Sequence, residues 1–371
     1  MANTFLTLKT IARQALPRLI DNLVFPNLIY RDFSESFSDL GDTIQVRKPN
    51  VLTAEDFNEV TGVNYQDMKD SSVDVRLDKL ATVDVQASAI ETAVNIDDLN
   101  RIFIEPASVA LAEKINADGL SLYEDVFTAV GVAGTTPADL AALADARKAL
   151  NLNRVPTAGR VAVWDPEADA AFTQIPAIVN AEKSGTTAAL REGSIGRIFG
   201  LDNYMAQGVK HHTSGITAAN AVKVNGAVTA GATTLNIDGT TLTGKLVKGD
   251  ILTINGKTYA VTEDTSDASN NAISGVKVYP ALPAVADNTG VTIAASHTAN
   301  LAFNPMAFAY VTRPLVNPDG QGVMSYVTSF NGISLRVTKG YDQKFKKSVY
   351  SMDVLYGFKT VYPELAVRVM G

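Results

Sequence analysis

The chain has 371 residues, 46% of them hydrophobic and 19% charged, with a net charge of −7 and no cysteine. These totals exclude a disordered chain, a nucleic-acid binder held by a general positive field, disulfide staples and thiolate metal sites. The length suits about two to three domains, and no apolar run reaches the roughly 18–20 residues of a spanning helix.

Residues 1–35 read as an arm. Helical periodicity runs from Thr4 to about Leu16, where Pro17 is expected to interrupt it, and Pro26 to break the chain again. Leu8, Ile11, Ala15, Leu19 and Leu23 give a docking face, while Lys9, Arg13 and Arg18 exclude a signal-peptide core. From Asp42 the period becomes two. Ile44 and Val46 alternate with polar residues up to Pro49, and Val73, Val75 and Leu77 resume the pattern, followed by Val83 and Val85. Between them lies an acidic stretch with Glu55, Asp56, Glu59, Asp67 and Asp70 around Gly62. Two strands flanking such a tip predict a protruding hairpin, against the plainer reading of a surface loop.

Pro106 to Gly131 is the longest helical pattern. Pro106 suits a first turn, and Gly131 suits the residue after the last. Leu111, Ile115, Leu122, Val126 and Val130 share one stripe, so one helix of roughly 35–40 Å is expected. Gly119, at its middle, is either a close-packing position or a bend point. Thr136-Pro137 then predicts a capped helix with Leu140, Leu143, Ala146 and Leu150 on its buried face. Arg160–Trp164 reads as a buried strand, Asp165-Pro166 as a helix start, and Ile195–Phe199 and Asn203–Ala206 as strands parted by Gly200. This mixture predicts a body of strands and helices.

Between about Ile216 and His297 the composition changes: there is no Arg, Phe, Met or Trp. Six short alternating runs follow: Ala221–Val224, Thr234–Ile237, Asp250–Ile254, Thr258–Thr262, Val276–Tyr279 and Val291–Ala294. Turn pairs such as Asn225-Gly226 and Asn255-Gly256 separate them, predicting a small all-β barrel or sandwich. The earlier composition then returns, with strands at Ile333–Thr338, Val349–Leu355 and Leu365–Val369, so the β module reads as an insertion.

No stretch carries a catalytic signature. Gly239–Lys245 misses the phosphate-binding loop, because Leu246 replaces the metal-holding hydroxyl and the flanks read as strand and turn. His211, His212 and His297 bracket the insert and fit a polar junction at its foot better than a zinc site. There is no nucleophile elbow. The pairs Asp97-Asp98, Glu124-Asp125 and Glu263-Asp264 read as solvated groups, and Lys344, Lys346 and Lys347 as a salt-bridged or inter-subunit surface.

The order of parts resembles the major capsid protein of tailed bacteriophages, the Hong Kong ninety-seven fold. The phrases that carry the resemblance are Asn300–Ala309, Gly332–Val337, Asp353–Phe358 and Pro363–Arg368, and the inserted β module is similar to that of P-twenty-two-type coat proteins. The resemblance implies an α+β fold and a particular partition of the chain. Residues 1–35 become the N-terminal arm, with Phe5 and Leu8 as inter-subunit contacts. Residues 36–131 and 331–371 become a peripheral domain, residues 132–215 and 298–330 an axial domain, and residues 216–297 an inserted barrel. Within the peripheral domain an extended loop at about 48–76 reaches a neighbour through Glu55, Asp56, Phe57, Glu59 and Lys69, and a spine helix at 104–131 bends at Gly119.

By the same resemblance the chain is not an enzyme and takes no cofactor or metal. It self-assembles into hexamers and pentamers of an icosahedral virion capsid, in the host cytoplasm, around double-stranded DNA held without sequence specificity and without a membrane. Its partners are a separate scaffolding protein, since no long helical prefix precedes the arm, and a portal protein. Some relatives crosslink a loop lysine to a neighbour's asparagine. Lys69 is the only lysine between Pro49 and Asp78, and no partner is evident, so no crosslink is expected. The alternatives are an encapsulin-type compartment, a surface binding module using the β insert, and an enzyme whose site is assembled from scattered residues.

Overall fold

The computed structural model describes residues 8–31, 43–48, 59, 71–88, 104–180, 191–317, 323–330, 333–342 and 347–371. By internal contacts the chain forms two compact units. The first is Met1–Leu16, Arg31–Ile104 and Ala309–Val361; the second is Pro17–Tyr30, Glu105–Phe308 and Tyr362–Gly371.

The first unit holds a five-stranded sheet. Its order is Phe308–Arg313, Lys347–Thr360, Ile333–Asp342 and Met324–Phe330, with Lys79–Ser88 also paired to Lys347–Thr360. Ile333, Leu335, Val337, Tyr350, Met352 and Val354 are buried in it. Arg336 and Asp353 lie directly opposite across two strands, and the guanidinium meets the carboxylate at 3.0 and 2.7 Å. The expected hairpin is present at its base, where Thr43–Lys48 pairs antiparallel with Ser71–Arg76, from Thr43 opposite Arg76 to Lys48 opposite Ser71. A two-stranded ribbon is marginal alone, and this one is seated at Gly357. A Cβ there would lie 1.9 Å from the Arg76 carbonyl oxygen, so only glycine allows the approach.

The second unit is built on a seven-stranded mixed sheet. Its order is Ala129–Gly131, Ala366–Met370, His297–Phe303, Val161–Trp164, Leu201–Met205 and Arg197–Ile198, with His211–His212 joined to the start of His297–Phe303. The helix Leu140–Leu152 covers it with Leu143, Ala146 and Leu150. Trp164 packs edge-on against Phe172 at 4.8 Å and donates from Nε1 to Asn203. Asp165 caps the helix Pro166–Phe172 as its sequence requires, accepting from the amides of Glu167 and Ala168. The end of the arm is stapled by Asn116 of the long helix. Its Oδ1 accepts from Val24 and Phe25 N–H, its Nδ2 donates to the Asn22 carbonyl, and the Phe25 ring packs at a tilt against Phe303 and Phe308.

All six expected strands of the β module form one sheet, ordered Lys223–Val224, Thr234–Asp238, Ala272–Tyr279, Lys257–Val261, Ile251–Ile254 and Val291–Ile293. Its first and last strands meet: Val291 N–H donates to the Val222 carbonyl, and Asn288 N–H to that of Val224. The sheet thus closes on itself around Ile237, Leu252, Tyr259, Val261 and Val276. A two-stranded pair, Ile216–Asn220 with Thr241–Gly244, was not anticipated. It absorbs the stretch resembling a phosphate loop.

Three expectations need correction. The long helix runs only from Glu105 to Leu120, about 24 Å at 1.5 Å per residue. A 3₁₀ turn, Ser121–Asp125, follows it, and Ala129–Gly131 then pairs in parallel with Arg368–Met370. The expected run to 131 fails because pairing with a distant strand takes those backbone groups. The next helix starts at Leu140 after Asp139, not at Pro137. Pro17 lies inside the arm helix Leu8–Asn22, which continues past it because Ala12, Ala15, Leu16 and Leu19 are all buried, and that burial offsets the lost hydrogen bond. Pro26 begins the short helix Phe25–Leu28, where its missing N–H costs little. By contacts the long helix and residues 362–371 fall in the second unit and 309–330 in the first, and the last strand pairs with His297–Phe303.

Candidate functional site: a buried polar junction

The two ends of the β module meet at one point, as the bracketing histidines suggested. His212 lies opposite His297 in an antiparallel pair, and their ring centroids are 5.3 Å apart. His211, on the other face, is exposed. The His212 Nε2–H donates to Asp250 Oδ1 at 2.9 Å; in the neutral ring Nδ1 then accepts from the Tyr123 hydroxyl at 3.2 Å. The other Asp250 oxygen accepts from Val247 N–H at 2.8 Å, shaping the turn that enters the module's central hairpin.

Beneath this pair sits Arg368, with no exposed surface. Its guanidinium donates to the Gly249 carbonyl at 2.7 Å and to the carbonyls of Tyr123 and Val126, and lies 4.9 Å from the Tyr123 ring centre. Burial lowers its pKa to about 10, so it stays cationic at neutral pH. Burial also raises the Tyr123 hydroxyl, with Glu124 adding to the effect. His297 is fully buried; its Nδ1–H donates to the Ala295 carbonyl at 2.7 Å, and Nε2 has no partner among the described residues. Burial holds it down to about 4, reinforced by Arg368 and the other two histidines. At the rim Lys248 pairs with Glu124 and Asp125 at 3.2 and 3.1 Å, and its N–H donates to Asp264.

Chemically the junction is a scaffold. Its donors and acceptors face backbone and one another, and the one hydroxyl beside a base, that of Tyr123 at His212, has its pKa raised by burial. Among the described residues no group of three His, Asp or Glu is arranged to hold a metal, and no helix is long and apolar enough to cross a membrane. A cleft of about 700 Å³ beside it, lined by Phe127, Leu152, Tyr259, Pro280 and Leu282 among others, has Lys257 as its one charged side chain.

The remaining expected residues are placed as follows. Phe5, Glu55, Asp56, Phe57, Lys69, Asp97, Asp98, Lys344 and Lys346 lie outside the described residues. Leu8 opens the arm helix, and Glu59 is exposed in a turn. Gly119 is buried one residue before the long helix ends. Lys347 reaches Gln86 at 3.4 Å. Glu263 pairs with Lys277, and Asp264 with Lys245. Sequence reasoning missed Tyr123, Asp250, Arg368 and Asn116. The one available signal was Arg368, a charge at a buried position of the apolar run Ala366–Met370.

No family model matches the sequence, and no curated protein matches it. Solved structures do match. That of Mycobacterium phage Che8 is 18% identical and covers 94% of this chain and 90% of its own, with a TM-score of 0.55. The capsid of cyanophage P-SCSP1u is 13% identical over 94% of this chain and 88% of its own, with a TM-score of 0.48. The capsid of Ralstonia phage GP4 is 11% identical over 92% and 86%, with a TM-score of 0.47. The chain has the Hong Kong ninety-seven-like fold of tailed-bacteriophage major capsid proteins.

Proposed function

We propose that this chain is the major capsid protein of a tailed bacteriophage. Copies assemble into hexamers and pentamers of an icosahedral head that encloses double-stranded DNA. The observation that carries this reading is the match to the phage Che8 structure over 94% of the chain, too complete to come from one shared substructure. The hairpin base at Thr43–Lys48 and Ser71–Arg76 supports it, since a paired base is what an extended loop at about 48–76 requires.

In this reading residues 1–35 are the arm and 48–76 the extended loop, the helix Glu105–Leu120 is the spine helix, and Gly119 is its bend point. Residues 216–297 are an inserted domain of the P-twenty-two type. A separate scaffolding protein and a portal protein complete the assembly. The net charge of −7 suits an inner surface that lets DNA move during packaging. The test is electron microscopy of the protein expressed alone and with the proteins encoded beside it. Closed uniform shells in either condition support the reading, and shells only with a neighbour identify the scaffold. Soluble monomers in both conditions overturn it.

A further inference from the structure

The segment after the long helix holds two conformational preferences at once. Leu122, Val126 and Val130 continue the helical stripe of Leu111 and Ile115, and no proline intervenes before Gly131. Yet the chain turns 3₁₀ at Ser121–Asp125 and becomes a strand at Ala129–Gly131. In a continued helix the Tyr123 carbonyl would accept from Phe127 N–H, and the Val126 carbonyl from Val130 N–H. Here Arg368 donates to both carbonyls, the Tyr123 carbonyl also accepts from Val126 N–H at 3.0 Å, and Arg368 N–H donates to the Thr128 carbonyl at 2.8 Å.

The same guanidinium holds the β module through the Gly249 carbonyl. Gly249, at φ +92°, lies against the turn so closely that a Cβ would sit 3.1 Å from the Glu124 Cα. Asp250 fixes the module's loop from the other side, through Val247 N–H and His212. Arg368 therefore joins three chain segments: the helix end, the last strand and the entry loop of the module.

We propose that Arg368, Asp250 and His212 form a latch that holds residues 121–131 out of the helix they can form, so that release of the module's entry loop and lengthening of the long helix are one coupled transition. The closed state is the one described here. In the open state the Gly249 carbonyl leaves Arg368, the parallel pairing of Ala129–Gly131 with Arg368–Met370 is lost, and the helix extends toward Gly131.

The test uses the full-length chain carrying Asp250→Asn. The expected result is roughly hundredfold faster amide exchange at Gly249 and Arg368 together, as befits the loss of one of the two buried oxygens that accept from His212 and Val247 N–H. Backbone carbon shifts of residues 126–130 should move from extended toward helical values. Lys248→Ala, which removes only the exposed ion pairs, should change exchange by less than about fivefold. Faster exchange in the loop with unchanged shifts at 126–130 would overturn the proposal, as would no change at either. If Asp250→Asn does not fold, exchange in the unaltered chain under rising denaturant decides. Gly249, Val126 and Arg368 amides should share one opening below global unfolding; separate openings, or opening only with global unfolding, would overturn it.

Discussion

Acidification should weaken the second unit through His297 in a measurable way. The ring has no exposed surface, and Nε2 lacks a partner, so a second proton there would be buried beside Arg368 and His212. Its pKa is near 4 in the fold against 6.5 in the unfolded chain. The unfolded chain therefore takes up the proton first. The stabilisation is complete above about pH 6.5 and is lost as pH falls toward 4. The gap corresponds to about 3 kcal/mol in full, of which about 2 kcal/mol disappears between pH 7 and 4.5. The assay is urea unfolding followed by fluorescence of the single tryptophan, Trp164, which is 1% exposed within the same unit. His297→Gln keeps a donor for the Ala295 carbonyl but cannot take up a proton in this range. Carboxylate protonation is common to both proteins, so the variant should lose about 2 kcal/mol less than the unaltered chain over the same interval. Equal losses would show that His297 is not held neutral by its surroundings.

Four further outcomes follow from the same geometry. Asp250→Asn should lower stability by about 1–3 kcal/mol in the same fluorescence assay, because one of the two buried oxygens that accept from His212 and Val247 N–H becomes an amide nitrogen. Gly357→Ala should cost at least about 3 kcal/mol or prevent soluble expression, since its Cβ would lie 1.9 Å from the Arg76 carbonyl oxygen; an unchanged melting temperature would refute this. Gly119→Ala should slow shell expansion, followed by light scattering or sedimentation, if the spine helix bends there. Assembled shells, boiled and run on a denaturing gel, should give a single monomer band; a ladder of covalent multimers would show that Lys69 does crosslink.

Much of this protein is legible in its residues because local rules decided those parts. The β module's strands are short and alternating and are punctuated by turns whose glycines and asparagines take positive φ, as at Asn255 and Gly256. Nothing distant needs to be known to place them. The same holds for the Asp165 cap and for the hairpin base, whose hydrophobic alternation fixes its register. The two added strands, Ile216–Asn220 and Thr241–Gly244, were hidden because Gly and Thr suit turns as well as strands.

What the residues alone determined is the sequence of parts: arm, acidic hairpin, helix, mixed body, inserted β module and closing strands. What only the tertiary structure decided is where those parts stop and what they touch. The long helix ends at Leu120 although its pattern runs on to Val130, because Ala129–Gly131 pairs with Arg368–Met370, a strand at the far end of the chain. Pro17 fails to end the arm helix because a buried face outweighs one lost hydrogen bond. The polar junction was foreshadowed by three histidines. Its central cation lay concealed in a strand of apolar residues, since burial and partners are properties of the folded chain.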